Sequence, residues 1–422
     1  MKRSPWVHGF FALAVVAGCA ANSAGNSANV GGGGQGGGPP AGGDQGAGEE
    51  TGPEEDDDDL FGPGDEPGSG GAGGAGDCAS SPDDDQDQDG FSANQGDCND
   101  CDGNINPGAI EVIVTEPDEN GDLAAPADED CDGVLDNPPM PCDEGLALTD
   151  QDAMNGARAV DLCQVTTPSD PKWGVLEARY VRADGTTNKP PYPEQYGLMG
   201  GFGPNVNPQR GKSLLVLSSG HARIPGQPDA CGSLNCTSNW PGNPPEGFPQ
   251  DVPDCPGAKD VNDDVGLELK IRSPKNATGY SFNFKFYSFE YPEWVCTSYN
   301  DQYISLVNPP PEGSISGNIS FDSMNNPVSV NVAFFDVCAE PTCALGPGEL
   351  MGTGFDTWSD AGGTGWLQTQ APVTGGQELT IRFAIWDTGD TAWDSTAVID
   401  NFQWVANGGA VVVGTEEVPE PK

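Results

Sequence analysis

Positive charge is what this chain lacks most. Of its 422 residues 17 are Lys or Arg, against 65 Asp and Glu, for a formal net charge of −48. Between Ala20 and Gly156 there is no Lys or Arg at all, against 34 acidic residues; from Ala157 onward the balance is 31 acidic to 15 basic. So acidic a chain cannot neutralise phosphates, which excludes nucleic acid as a partner and leaves divalent cations and basic surfaces. Histidine is nearly absent too, His8 and His221 being the only two. His221 is therefore the one base available to a Ser-His-Asp site, and "SSGHAR" around it lacks the Gly-x-Ser-x-Gly elbow. The longest apolar run, about a dozen residues near the N-terminus, is too short to span a bilayer.

That run has a meaning of its own. "MKRSPWVHGFFALAVVAGCAAN" carries a basic start, an apolar core and a small-residue cleavage site, the layout of a secretory signal. Val16-Ala17-Gly18-Cys19 resembles the lipobox of bacterial lipoproteins, which implies removal of residues 1–18 and lipidation of Cys19. Ala20 rather than Asp follows the cysteine, which by the same resemblance implies an outer-membrane or cell-surface destination in a Gram-negative bacterium. Without Cys19, twelve cysteines remain, at 78, 98, 101, 131, 142, 163, 231, 236, 255, 296, 338 and 343. In an exported chain an even set reads as disulfides, with Cys142–Cys163 and Cys338–Cys343 the expected short-range pairs. Cys98-Asn99-Asp100-Cys101 is a CxxC, but zinc would need a second such pair or more histidine.

Composition divides the mature chain. Residues 22–76 hold 21 glycines among 55 and almost nothing apolar, so 19–77 reads as a disordered tether. Residues 78–141 are rich in Cys and Asp and poor in apolar side chains, so disulfides or ions would have to hold them. From Cys142 to Val413 the text is globular. "LTDQDAMNGARAVDLC" predicts a helix, with Thr149 and Asp152 in the capping-box relation. Strand-like runs follow: "VLEARYV", "SLLVLSS", "LELKIR", "YSFNFKFYSFEY", "QYISLV", "GNISF", "VSVNVAFF", "ELTIRFAIW" and "TAVIDNFQWV". In "YSFNFKFYSF" aromatics alternate with polar residues, the period of a half-buried strand. No strand-helix alternation suggests a parallel sheet, so the expected fold is mostly β: an antiparallel sandwich or jelly roll behind the acidic linker and module, with 414–422 as a tail.

Within the module, Asp85, Asp87 and Asp89 stand at i, i+2, i+4 with Gly90 behind them, the way a loop wraps oxygen ligands around Ca²⁺. An EF-hand would place Glu at the loop's twelfth position, here Gly96, so the match is to shorter DxDxDG loops. Asp97, Asp100 and Asp102 follow closely, and Asp128, Asp130 and Asp132 lie about thirty residues on, as the expected other half of one site. In order, "DQDQDGF", "GDCND", "NINPGAIEV" and "DEDCDGVLD" resemble the MopE-type metal-binding motif of bacterial surface proteins, over Asp83 to Asp136. The resemblance implies halves closing around Cys98 and Cys131 with "INPGA" as a turn; Cys101 and the insertion "IVTEPDENGDLAAPA" depart from it. The family's name implies copper, whereas a set of oxygens without His or Met suits Ca²⁺.

In the large domain, "KSLLVLSSGHAR", "GLELKIRSPKNATGYSFNFKFYSFEYPEWVCTSYNDQYISLV" and "ELTIRFAIWDTGDTAWDSTAVIDNFQW" resemble the blocks of the choice-of-anchor L domain, over Lys212 to Trp404. Phe289 stands where that family has its first Glu of "SEEYPE". The name implies a surface protein and supplies no activity. Glu290, Glu293, Asp301, Asp387, Asp390, Asp394 and Asp400 lie near strand ends in these blocks and make a second candidate Ca²⁺ set, the alternative being that they cap turns. Trp294, Trp358, Trp366 and Trp393 sit among Gly and Asp, suited to sugar stacking if exposed and to packing if buried. The function expected is that of a non-enzymatic, Ca²⁺-binding surface lipoprotein in adhesion or envelope interactions. The alternatives are a carbohydrate-binding module, or a secreted hydrolase built on His221 or on an aspartate pair.

Overall fold

A computed structural model describes residues 81–418 apart from 116, 118–120, 237–240, 332–333, 340–342, 359 and 407–408. Cys19, the tether and Cys78 lie outside the described residues. β-Branched and aromatic runs separated by Gly- and Pro-rich loops form two antiparallel sheets. The first carries, in spatial order, β1 (Gly174–Val181), β4 (Val261–Arg272), β11 (Glu378–Thr388), β6 (Gln302–Asn308) and β7 (Val328–Ser329). The second runs β13 (Gly414–Glu417), β10 (Leu367–Pro372), β5 (Gly279–Ser288), β12 (Ser395–Val405), β3 (Leu214–Ser218) and β2 (Tyr196–Met199). β9 (Gly362–Thr364) pairs with the end of β5 and with β8 (Phe335–Cys338).

The sheets pack face to face, and strand parity decides what lies between them. β4 contributes Val265, Leu267, Leu269 and Ile271; β11 contributes Leu379, Ile381, Phe383 and Ile385; β5 contributes Tyr280, Phe282, Phe284 and Phe286. The opposite parity of β5 is not solvent-facing as its alternation predicts. Asn283 and Lys285 are buried, and Tyr287 joins a second core with Phe202, Phe355 and Trp366. Long loops therefore cover the outer face of the second sheet, and a polar alternation reads as half-buried only when nothing packs on its polar side. A third cluster around Phe248 and Trp386 covers part of the first sheet.

Seven of the nine strand-like runs coincide with a strand, "VSVNVAFF" only at Val328–Ser329 and again at Phe335. "GNISF" forms only isolated bridges, through Asn318 and Phe321. In the polar C-terminal segment, Gly414–Glu417 pairs as β13 with β10, backbone hydrogen bonds asking nothing of side-chain polarity. The helix is shorter than predicted, Ala153–Arg158, and Asp152 is its N-cap, accepting from the Met154 N–H at 3.0 Å. Asp150 holds the turn before it by accepting from the Asp152 N–H at 2.9 Å.

The acidic module docks on the sandwich. The side-chain amide of Asn276, in the β4–β5 turn, accepts from the Ile110 N–H at 3.0 Å and donates to the Ile110 carbonyl at 2.7 Å. Lys275 N–H donates to the Gly108 carbonyl at 2.9 Å, and the Trp173 indole to the Ala109 carbonyl at 3.2 Å. The "INPGA" turn is thus the module's foot, with Phe91 and Ala109 buried beneath it. Disulfides join Cys98–Cys131, Cys142–Cys163, Cys231–Cys236, Cys255–Cys296 and Cys338–Cys343, and Cys101 is disulfide-bonded too. Neither thiol of the CxxC is therefore free to bind zinc.

Candidate cation-binding sites

The first loop folds on its own backbone. Asp85 accepts from the Gly90 N–H at 3.0 Å, Asp87 from Asp89 N–H at 3.1 Å and Asp89 from Phe91 N–H at 2.8 Å. Asp97 accepts from Asn99 N–H at 2.8 Å and Asp100 from Gln86 N–H at 3.1 Å. Gly90, at φ 100°, makes the turn that a side chain would resist. In each of Asp87, Asp89, Asp97 and Asp100 the second oxygen is buried without a hydrogen-bond partner. Ligand oxygens of Asp85, Asp87 and Asp100, and of Asp87, Asp89 and Asp97, lie within 4.8 Å of one another. Burial, and after it neighbouring carboxylates, push Asp89 up to about 6 and raise Asp87 and Asp97, against the N–H groups that lower them. Asp102 stands outside these groups, its Oδ1 accepting from the backbone and side chain of Asn104.

The second loop repeats the first. Asp128 accepts from Gly133 N–H at 3.0 Å, Asp130 from Asp132 N–H at 3.1 Å and Asp132 from Val134 N–H at 2.7 Å, with Gly133 at φ 89°. It closes on Glu111, whose Oε2 is buried and unpartnered: Glu111 groups with Asp128 and Asp130, and with Glu129 and Asp136. Burial first, then Asp130 and Glu129, push Glu111 up to about 7. Both oxygens of Asp132 are engaged, by Val134 N–H and by the Asn137 amide at 2.8 Å. The expectation of one site in two halves is therefore corrected: among the described residues no carboxylate group draws on both loops. Each loop closes on its own glycine, and what meets between them is Cys98–Cys131 and a hydrogen bond from Asn106 N–H to the Glu129 carbonyl at 2.8 Å. Glu111, Glu129 and Asp136 were missed because no DxD spacing marks them; the signal was Glu111 in "AIEV" of the motif.

The seven carboxylates of the large domain separate. Glu290, Asp301, Asp387 and Asp394 are buried together at one end of the sandwich, with the half-buried Asp390 acting on Glu290 and Asp301. Asp301 accepts from Thr388 N–H at 2.9 Å and Ser395 Oγ at 2.6 Å; Asp394 accepts from Cys236 N–H at 2.7 Å. Burial raises all four, Asp301 to about 7 and the others well above the carboxylate range. Asp263, which no spacing singled out, joins them through a bulge. Asp387 pairs with Asn262 and Ile385 with Val265, so β4 has an extra residue there, and Asp263 takes φ 48°. Glu293 is exposed. Asp400 lies six residues beyond Asp394, about 20 Å along the strand, beside Asp161.

Trp366 is buried beneath Lys285 and Trp358 is exposed, while Trp294 and Trp393 meet edge to face at 5.7 Å. The aromatics that wall a concave surface are others: Trp173 and Trp404, 6.3 Å apart, line a groove of about 760 Å³ together with Ile113, Met140, Glu111 and Asp130. His221 Nδ1 lies 2.6 Å from the Asp229 carbonyl, and the hydroxyls of Ser218 and Ser219 donate to the Ser395 carbonyl. No helix among the described residues is long and apolar enough to cross a membrane.

Compared with known proteins, residues 180–402, more than half of the chain, match the family model described as the choice-of-anchor L domain. The match takes in every carboxylate of the sandwich cluster and stops short of the acidic module. No curated protein and no solved structure matches.

Proposed function

As the chain belongs to the choice-of-anchor L domain family and is thereby a surface-associated protein, we propose that it is a non-enzymatic lipoprotein attached through Cys19, whose acidic module binds Ca²⁺ and which acts in adhesion or envelope interactions. One observation carries the reading: Asp87, Asp89, Asp97 and Asp100 each keep a buried oxygen without a partner, and their carboxylates fall into two tight groups that share Asp87. Buried like charges need a proton or a cation between them, and a set made only of oxygens fits Ca²⁺. Millimolar extracellular Ca²⁺ fills sites of this kind and stabilises the fold by mass action. Thermal melts of the soluble chain test it: the midpoint rises with Ca²⁺ and falls with EDTA, and indifference to both sinks the proposal.

The groove favours a second reading, a glycan-binding surface, because Trp173 and Trp404 line it next to the Glu111 carboxylates. Indole faces suit sugar rings, and Ca²⁺ beside them suits hydroxyls. A glycan array on which Trp404→Ala loses a signal that the parent chain gives separates this from protein adhesion.

A further inference from the structure

We propose that the sandwich itself binds one Ca²⁺ at the end of its inter-sheet core, through Asp387, Asp301 and Asp394, with Glu290 and Asp263 alongside. The site is separate from the module and does not depend on the module's reading.

Parity places these side chains. On β11 the inward positions run Ile381, Phe383, Ile385, and the next is Asp387. On β6 Tyr303 is inward, and two residues before it is Asp301. On β5 Phe284 and Phe286 are inward, then Ser288, and two residues on is Glu290. Trp386 pairs with Gln302, so Asp387 meets Asp301 across the sheet, and Ser395 pairs with Ser288 in the other. Carboxylates thus continue the apolar stripes of both sheets into the space between them. The β4 bulge turns Asp263 to the same place, where it acts on Asp387 and Asp394, while its neighbour Asp264 faces Arg182. Gly220 leaves room for Asp394, since any side chain there would run into its carboxyl.

The bonding points to a cation. Asp387 is fully buried, and its polar neighbours are the Ser219 hydroxyl and the Asp301 carboxyl; Asp394, 4% exposed, leaves Oδ1 unpartnered. Among the described residues no ion pair reaches Glu290, Asp301, Asp387 or Asp394. Buried carboxylates without a cationic partner are unfavourable, and a hard divalent ion supplies the missing charge. With oxygens alone on offer, the ion is Ca²⁺. Among the described residues no three of these carboxylates bring ligand oxygens within 4.8 Å of one another, so the proposed site requires their side chains to close on the ion.

Native mass spectrometry and thermal melts of the full chain with CaCl₂ test this. The variant Asp87→Asn/Asp89→Asn/Glu111→Gln/Asp130→Asn silences the module. It is expected to retain one Ca²⁺ and a melting temperature that rises with Ca²⁺; adding Asp387→Asn, or Asp394→Asn if that variant does not fold, removes both. A silenced chain that takes up no Ca²⁺ and melts unchanged overturns the inference, because protons then keep the cluster neutral. If the parent and silenced chains bind the same single ion, the module reading fails and the sandwich site stands.

Discussion

At the scale of single residues, buried charge is the lever. Lys285 is fully buried, bonded to Glu349 at 2.6 Å and stacked 5.4 Å over the Trp366 ring. Glu349→Gln removes the carboxylate bonded to that ammonium and is expected to cost about 1–3 kcal/mol in a urea melt; an unchanged melt would show that the pair contributes nothing to stability. Asp400 offers a pH experiment. Burial, then Asp161, push it from its ordinary 3.8 up to about 8, against N–H groups of Gln209, Asn401 and Arg210 that lower it. A carboxyl raised in the folded state is held protonated there. Its contribution is fully present below about 4 and is lost as pH rises through about 8. In saturating Ca²⁺, the melting temperature of the parent chain should therefore fall between pH 5 and 9 by more than that of Asp400→Asn. Parallel profiles would remove Asp400 from the account. None of these roles was legible in sequence, where Asp400 looked like one more acid of a loop cluster.

At the scale of elements, the decisive contact is the module's foot. Asn276→Ala leaves the half-buried Ile110 N–H and carbonyl without their side-chain partner, an expected loss of about 1 kcal/mol confined to residues 81–141. Hydrogen exchange should show faster exchange there and unchanged protection in β4, β5 and β11. Gly108→Ala should act alike, since a Cβ there would stand 2.8 Å from the Phe91 ring. Removing Cys98–Cys131, which spans 33 residues, should cost about 3–4 kcal/mol by the loop-entropy account, measured with and without Ca²⁺. The strands were readable where burial is one-sided or continuous, as in "ELTIRFAIW" and "TAVIDNFQWV". They went unread in β2, β9, β10 and β13: β9 and β13 contribute backbone pairing rather than apolar side chains, and β2 and β10 are short, with only Tyr196, Leu198 and Met199, and Leu367 and Ala371, reaching a core.

At the scale of the molecule, Cys19→Ala is expected to abolish incorporation of labelled palmitate and to release the protein from membranes; unchanged labelling would remove the lipid anchor. The sequence by itself determined the β class and the two acidic stretches of the module, and it made Cys142–Cys163 and Cys338–Cys343 the expected short-range pairs. Those follow from period, charge and spacing, which act over a few residues. Whether the carboxylates of the two DxDxDG loops form one group or two was decided only in three dimensions, because Glu111 reaches the second loop from outside it. The same holds for which of seven scattered carboxylates meet. Two sheets carry Asp301, Asp387 and Glu290 inward off the ends of their apolar stripes, and a single extra residue in β4 adds Asp263, while six residues of strand take Asp400 away. Pairing register sets those distances, and register is a property of the partner strands.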